Sequence, residues 1–247
     1  MSREKVQLKK THDYASSKEV KLAVIFIHGI ASDSSTFDHA LKYLEGLKAL
    51  EEVRFITFDL LGSGKSPKSD EFNYDYNDQL EALHNSIEEL ELDVPLVLVG
   101  HSLGTFIVTR YASVYKNTVR KIILISPPVY TAEDLDNPAF EAGMKVFKDA
   151  VSLKNHKILK EKAFINSMDK IVLDKKNYGV LSNLKTPAVL IYGDKDQFIG
   201  IYNMARMLKS NPDYLRGIKT DGRHGVSKDK YKPLAEILKE ELNAQTV

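Results

Sequence analysis

Residues 95–104 read PLVLVGHSLG, and residues 105–115, TFIVTRYASVY, follow with apolar positions at helical spacing. A run of leucine and β-branched residues with no polar alternation fits a strand buried on both faces, the usual state of a strand inside a parallel sheet. The run ends in Gly100-His101-Ser102-Leu103-Gly104, a G-x-S-x-G sequence at a strand end and a helix start. That is the context a nucleophile elbow requires. A serine on so sharp a turn needs small neighbours, because strand and helix approach each other there, and Gly100 and Gly104 supply the room. Ser102 then projects above the sheet, with the helix start offering oriented N–H groups beneath it.

Working outward, four further stretches have the same character: LAVIFI (Leu22–Ile27), VRFITF (Val53–Phe58), KIILIS (Lys121–Ser126) and PAVLIYG (Pro187–Gly193). YLRGIKT (Tyr214–Thr220) is a weaker sixth. Helix-like segments lie between and after them, at Ser34–Leu50, Asn73–Leu92, Leu103–Tyr115, Gly200–Lys209 and Lys228–Leu242. Strand–helix alternation predicts an α/β fold with a mostly parallel, doubly wound sheet and chemistry beyond the carboxyl ends of its strands. Pro127–Lys185 breaks the rhythm, with helices and loops but no strand-like run. It predicts a helical cap at residues 128–185, inserted into a core made of 1–127 and 186–247.

Composition narrows the function classes. The chain has 247 residues, with 35 Lys+Arg against 34 Asp+Glu, so no global charge draws it to nucleic acid or an anionic membrane. It contains no cysteine, which excludes disulfides, thiol nucleophiles and Cys-ligated metals. The start, MSREKVQLKKTHDY, shows no signal-peptide pattern, and no apolar run approaches the about 20 residues that a membrane span needs. The expectation is a cytoplasmic protein with no membrane or nucleic-acid partner. Sequence does not give its oligomeric state.

A serine hydroxyl is a weak nucleophile until a base takes its proton. His224, in Asp221-Gly222-Arg223-His224-Gly225, follows the last strand-like run and is the candidate base. Gly193-Asp194-Lys195-Asp196 follows the PAVLIY strand and offers two carboxylates to orient it. Of the other histidines, His28 and His101 are expected to pack and hydrogen bond near the motif loops, and His39 and His84 to lie on amphipathic helices. His12 precedes the core, and His156 lies in the cap. No His/Asp/Glu set has metal-ligand spacing. Gly62-Ser63-Gly64-Lys65-Ser66 imitates a P-loop, but Asp59 stands where the Walker pattern needs glycine and Pro67 follows at once, so a tight turn is expected.

Taken together these blocks resemble the α/β-hydrolase superfamily from about Leu22 to Leu242. Ile27-His28-Gly29-Ile30 resembles its His-Gly oxyanion loop, Asp59–Ser66 its D-x-x-G-x-G-x-S turn, and Gly100–Gly104 its elbow. Gly193–Asp196 and His224 complete the order Ser, acid, His. The resemblance implies an α/β-hydrolase fold and a serine hydrolase that acts on an ester or related acyl substrate without a cofactor. It selects Asp196 over Asp194 as the acid, and places the oxyanion-hole N–H groups at Ile30 and Leu103. A thioesterase, peptidase or C–C bond hydrolase on the same triad, or a non-catalytic binding relative, is the alternative. Tyr130, Phe140, Met144, Phe147, Phe164 and Met168 are the expected substrate-pocket residues within the cap, the small-molecule acyl substrate being the expected partner.

Overall fold

The computed structural model describes residues 5–152, 159–198, 201–224 and 231–246. These residues form a seven-stranded sheet in the order β1-β3-β2-β4-β5-β6-β7. The strands are β1 (Lys9–Ala15), β2 (Leu22–Ile27), β3 (Val53–Asp59), β4 (Leu96–His101), β5 (Val119–Ile125), β6 (Ala188–Gly193) and β7 (Leu215–Thr220). Every neighbouring pair is parallel except β1 and β3. The carboxyl ends of β2 to β7 therefore share one rim.

Alternate side chains of each central strand feed opposite layers, which is why those strands read as unbroken apolar runs. Ala23, Ile25 and Ile27 of β2 join Leu96 and Leu98 of β4 in one cluster, with Phe106, Ile107 and Tyr111 of α3 (Leu103–Val114) and Leu83 of α2 (Tyr76–Glu88). Leu22, Val24 and Phe26 join Val97 and Val99 in the other, under Leu41 and Leu44 of α1 (Asp38–Glu45) and Leu234, Leu238 and Leu242 of α9 (Tyr231–Thr246). Asp75 starts α2, its carboxylate accepting from the N–H of Asn77 at 3.0 Å and of Asp78 at 3.2 Å.

Two elements depart from the sequence expectation. β1 was not anticipated, because KKTHDYA carries no apolar pattern. It is an edge strand held by backbone pairing to β3 and by the Arg54–Asp13 pair, with both nitrogen–oxygen distances 2.8 Å. The expected helix over Ser34–Leu50 is instead α1 flanked by 3-10 turns at Ser34–Phe37 and Lys48–Leu50, with Asp33 capping the first.

Between β5 and β6 the described residues form α4 (Ala132–Leu135), α5 (Pro138–Ser152), α6 (Glu161–Ser167), a π turn at Met168–Val172 and α7 (Asn177–Ser182). Contacts on several sides tie this segment down. Asn203, on α8 (Ile201–Ser210), donates its side-chain N–H groups to the Val129 carbonyl and the Asp134 carboxylate. Lys160 N–H donates to the Gly62 carbonyl at 2.9 Å, and Tyr76 O–H to Asn177 Oδ1 at 2.5 Å. Below the sheet, Lys121 of β5 and Glu241 of α9 form an ion pair at 2.6 Å, each side chain at most 10 % exposed. Among the described residues, no helix is long and apolar enough to cross a membrane.

Candidate active site

β4 delivers Ser102 to the rim, and α3 starts at the next residue. Ser102 has φ +50° and ψ −119°, a backbone region that costs a non-glycine residue of order 1–3 kcal/mol. The surroundings hold it there. Its N–H donates to the Ile125 carbonyl at 2.9 Å, and its own carbonyl accepts from the Thr105 N–H at 2.9 Å. The flanking glycines are sterically required: a Cβ at Gly100 would lie 2.5 Å from the Gly104 carbonyl oxygen, and one at Gly104 would lie 2.3 Å from that of Ile27.

The acid and the base arrive on neighbouring strand ends. Asp196 follows β6 and His224 follows β7. The two loops are stitched by Asp194 N–H to the Thr220 carbonyl at 2.9 Å and Lys195 N–H to the Gly222 carbonyl at 3.1 Å. His224 Nδ1 lies 2.8 Å from Asp196 Oδ2 and 3.0 Å from Oδ1, and its Nε2 lies 3.0 Å from Ser102 Oγ. An ionised carboxylate only accepts, so the proton sits on Nδ1 and Nε2 is left to accept from the serine hydroxyl. The Asp196 side chain is wholly buried and that of His224 is 20 % exposed. Asp194 is exposed, with the Lys219 ammonium 3.7 Å away. Geometry thus brings Ser102, His224 and Asp196 together and leaves Asp194 outside. Gly225, expected to flank the base, lies outside the described residues, as does His156.

The early motif blocks form a scaffold behind the serine. His28 is buried, donates from Nδ1 to the Gly29 carbonyl at 2.7 Å and accepts at Nε2 from the Leu60 N–H at 2.9 Å. Burial holds its basicity below the ordinary value. Asp59 braces the turn at 59–66 by accepting from the N–H of Ser34 at 2.9 Å and of Lys65 at 2.7 Å. This is the tight turn expected of the P-loop mimic. Gly29 lies against the elbow: a Cβ there would be 3.0 Å from the Ser102 Cβ. Ile30 follows Gly29 directly, and Leu103 is the first residue of α3. First-turn N–H groups have no acceptor within their own helix.

His101 behaves differently from expectation. It is buried, but neither ring nitrogen has a hydrogen-bond partner among the described residues. Burial first, then the nearby His224 and His28, push its pKa down to about 3, so it is a neutral neighbour. Its ring centroid is 5.6 Å from that of His224.

The expected pocket residues divide. Phe164 and Met168 are buried within the apolar core. Phe140 and Met144 border an open groove between α5 and residues 169–175, which no triad residue lines. Tyr130 donates its O–H to the Phe198 carbonyl at 2.9 Å and meets the Phe140 ring at 4.7 Å. Phe147 meets the Phe198 ring at 5.2 Å. Phe198 itself was missed by sequence reasoning. Its signal was a bulky apolar residue two positions beyond the acid, after the polar run Asp194-Lys195-Asp196-Gln197.

Comparison with known proteins agrees with this fold. A family model described as the alpha/beta hydrolase fold matches residues 23–142. A probable lysophospholipase, BODYGUARD 2 of Arabidopsis thaliana, is 30% identical over 123 residues, which are 50% of this chain and 26% of that protein. A coelenterazine h 2-monooxygenase of Renilla reniformis is 29% identical over 156 residues, 63% of this chain and 48% of that protein. The chain thus spans less than half the length of these two relatives. Among solved structures, an esterase from Exiguobacterium antarcticum superposes with a TM-score of 0.71 at 21% identity, covering 96% of this chain and 97% of that one.

Proposed function

We propose that this chain, a member of the α/β-hydrolase superfamily, is a serine hydrolase that cleaves a carboxylic ester or related acyl compound through an acyl-enzyme. The observation that carries this reading is the unbroken hydrogen-bonded line from Asp196 through His224 to Ser102. Ser102 Oγ attacks the carbonyl carbon as its proton passes to His224 Nε2. The tetrahedral oxyanion is held by the N–H groups of Ile30 and Leu103, where one lost donor costs about 3 kcal/mol of barrier. His224 then protonates the leaving alcohol, and the acyl group stays on Ser102. A water next loses its proton to the same nitrogen, attacks the acyl-enzyme and releases the acid. Asp196 keeps His224 in the required tautomer and stabilises the imidazolium.

Residues 128–185 serve as the cap in this reading. Support comes from the low exposure of Ser102, 7 %, and from the contacts of Tyr130 and Phe147 with Phe198 beside the base. The names of the Arabidopsis relative and the Exiguobacterium structure suit ester cleavage. The Renilla name does not, so the chemistry rests on the triad rather than on likeness.

The test is a panel of p-nitrophenyl esters with the wild type and Ser102→Ala, together with a fluorophosphonate label. Wild-type turnover and a single adduct on Ser102, both lost in the variant, are expected. Equal turnover by the two proteins would reject the site.

A further inference from the structure

We propose that Phe198 is a positioning residue of this site: its backbone and ring together fix the Asp196–His224 pair and tie that pair to the seating of α5. Four contacts meet at this residue, the fourth being the Phe147 ring of α5. Its N–H donates to Asp196 Oδ1 at 2.8 Å, the same carboxylate that accepts from His224 Nδ1. Its ring meets the His224 ring edge-on, with centroids 4.9 Å apart and planes at 61°. Its carbonyl accepts from the Tyr130 O–H at 2.9 Å. The N–H contact holds the rotation of the Asp196 carboxylate, and the ring contact holds the rotation of the imidazole. These are the two torsions that must agree for Nε2 to face Ser102.

Helix α5 grips this arrangement at two points. Phe147 packs its ring on Phe198 at 5.2 Å, and Phe140 packs on Tyr130 at 4.7 Å. The two aromatic residues stand two helical turns apart on α5, so they share one face. Movement of α5 away from the sheet withdraws the packing from both partners of the Phe198 loop at once. Base alignment is thereby coupled to how α5 sits over a bound substrate. The inference rests on the hydrolase reading for its kinetic consequence, and on the geometry alone for its structural one.

The experiment compares Phe198→Leu, Phe147→Leu and Tyr130→Phe with the wild type on p-nitrophenyl acetate. Each is expected to lower kcat by about tenfold, with a smaller change in KM, because misplacing a base by a fraction of an ångström is felt in the chemical step. The acid limb of the kcat/KM pH profile, which reports the base, is expected to move in the same variants. A purely structural role would lower the melting temperature and leave kcat and the pH profile unchanged well below it; that result overturns the proposal. The proton NMR signal of His224 Nδ1–H supplies a readout independent of turnover. It is expected in the far downfield region for the wild type, and to shift or broaden in Phe198→Leu and Tyr130→Phe. Absence of ester turnover and labelling in the wild type would sink the hydrolase reading alone. An unaltered Nδ1–H signal and titration in both variants would sink this one.

Discussion

His101 shows most directly how one side chain sets a property of the whole. Buried beside the nucleophile, it is held neutral with a pKa near 3, against about 6.5 in an unfolded chain. Below pH 6.5 the unfolded chain therefore binds a proton that the folded one refuses. Its contribution is intact above pH 6.5 and is lost as the pH falls toward 3, at up to about 1.4 kcal/mol per pH unit. The urea midpoint should drop between pH 7 and pH 5, and His101→Leu should flatten that dependence; an equally steep loss in the variant would rule His101 out as the source. His28 is shifted in the same direction, so some slope should persist. At this scale the sequence was informative about identity and silent about contact. Order along the chain singled out Ser102 and His224, while the choice of Asp196 over Asp194 required a family pattern. Phe198 escaped notice because its role comes from a backbone N–H and a ring face, neither of which leaves a motif.

At the scale of elements, the junction of β4 and α3 leaves no room for a side chain at either flanking glycine. Gly104→Ala would drive a Cβ to within 2.3 Å of the Ile27 carbonyl oxygen, so strand β2 or helix α3 must shift. The expected cost is about 3 kcal/mol, read as a lower denaturation midpoint, and labelling of Ser102 should slow even where the variant is folded. Unchanged stability and labelling would mean that the junction is looser than its geometry. The buried strands were legible because both faces of β2 and β4 are apolar. β1 was not, since an edge strand answers to backbone pairing with β3 and to Arg54–Asp13 rather than to a hydrophobic pattern. The helix expected over Ser34–Leu50 was legible in place and not in length, because caps and short 3-10 turns leave little trace in periodicity.

Across the whole molecule, α9 is fastened to the sheet by Glu241, whose carboxylate meets both Lys121 of β5 and Arg216 of β7. Those contacts hold the Glu241 carboxyl below its ordinary pKa despite burial. Glu241→Ala leaves Lys121 enclosed without its partner, and about 3 kcal/mol of stability should go with it. Thermal unfolding should reveal this at pH 7, while fluorophosphonate labelling of the folded variant at low temperature stays close to wild type. A variant as stable as the wild type would show that the pair is dispensable. The sheet also keeps β5 and β6 side by side across the long excursion between them. β5 and β6 are hydrogen-bonded neighbours, with Ile122 opposite Ala188 and Ile125 opposite Ile191. Because the two strands are parallel, the chain leaves the sheet at the carboxyl end of β5 and must cross back to enter at the amino end of β6. If the proposed cap does recognise substrate, a change in it would also reach the base, through the grip of α5 on Tyr130 and Phe198.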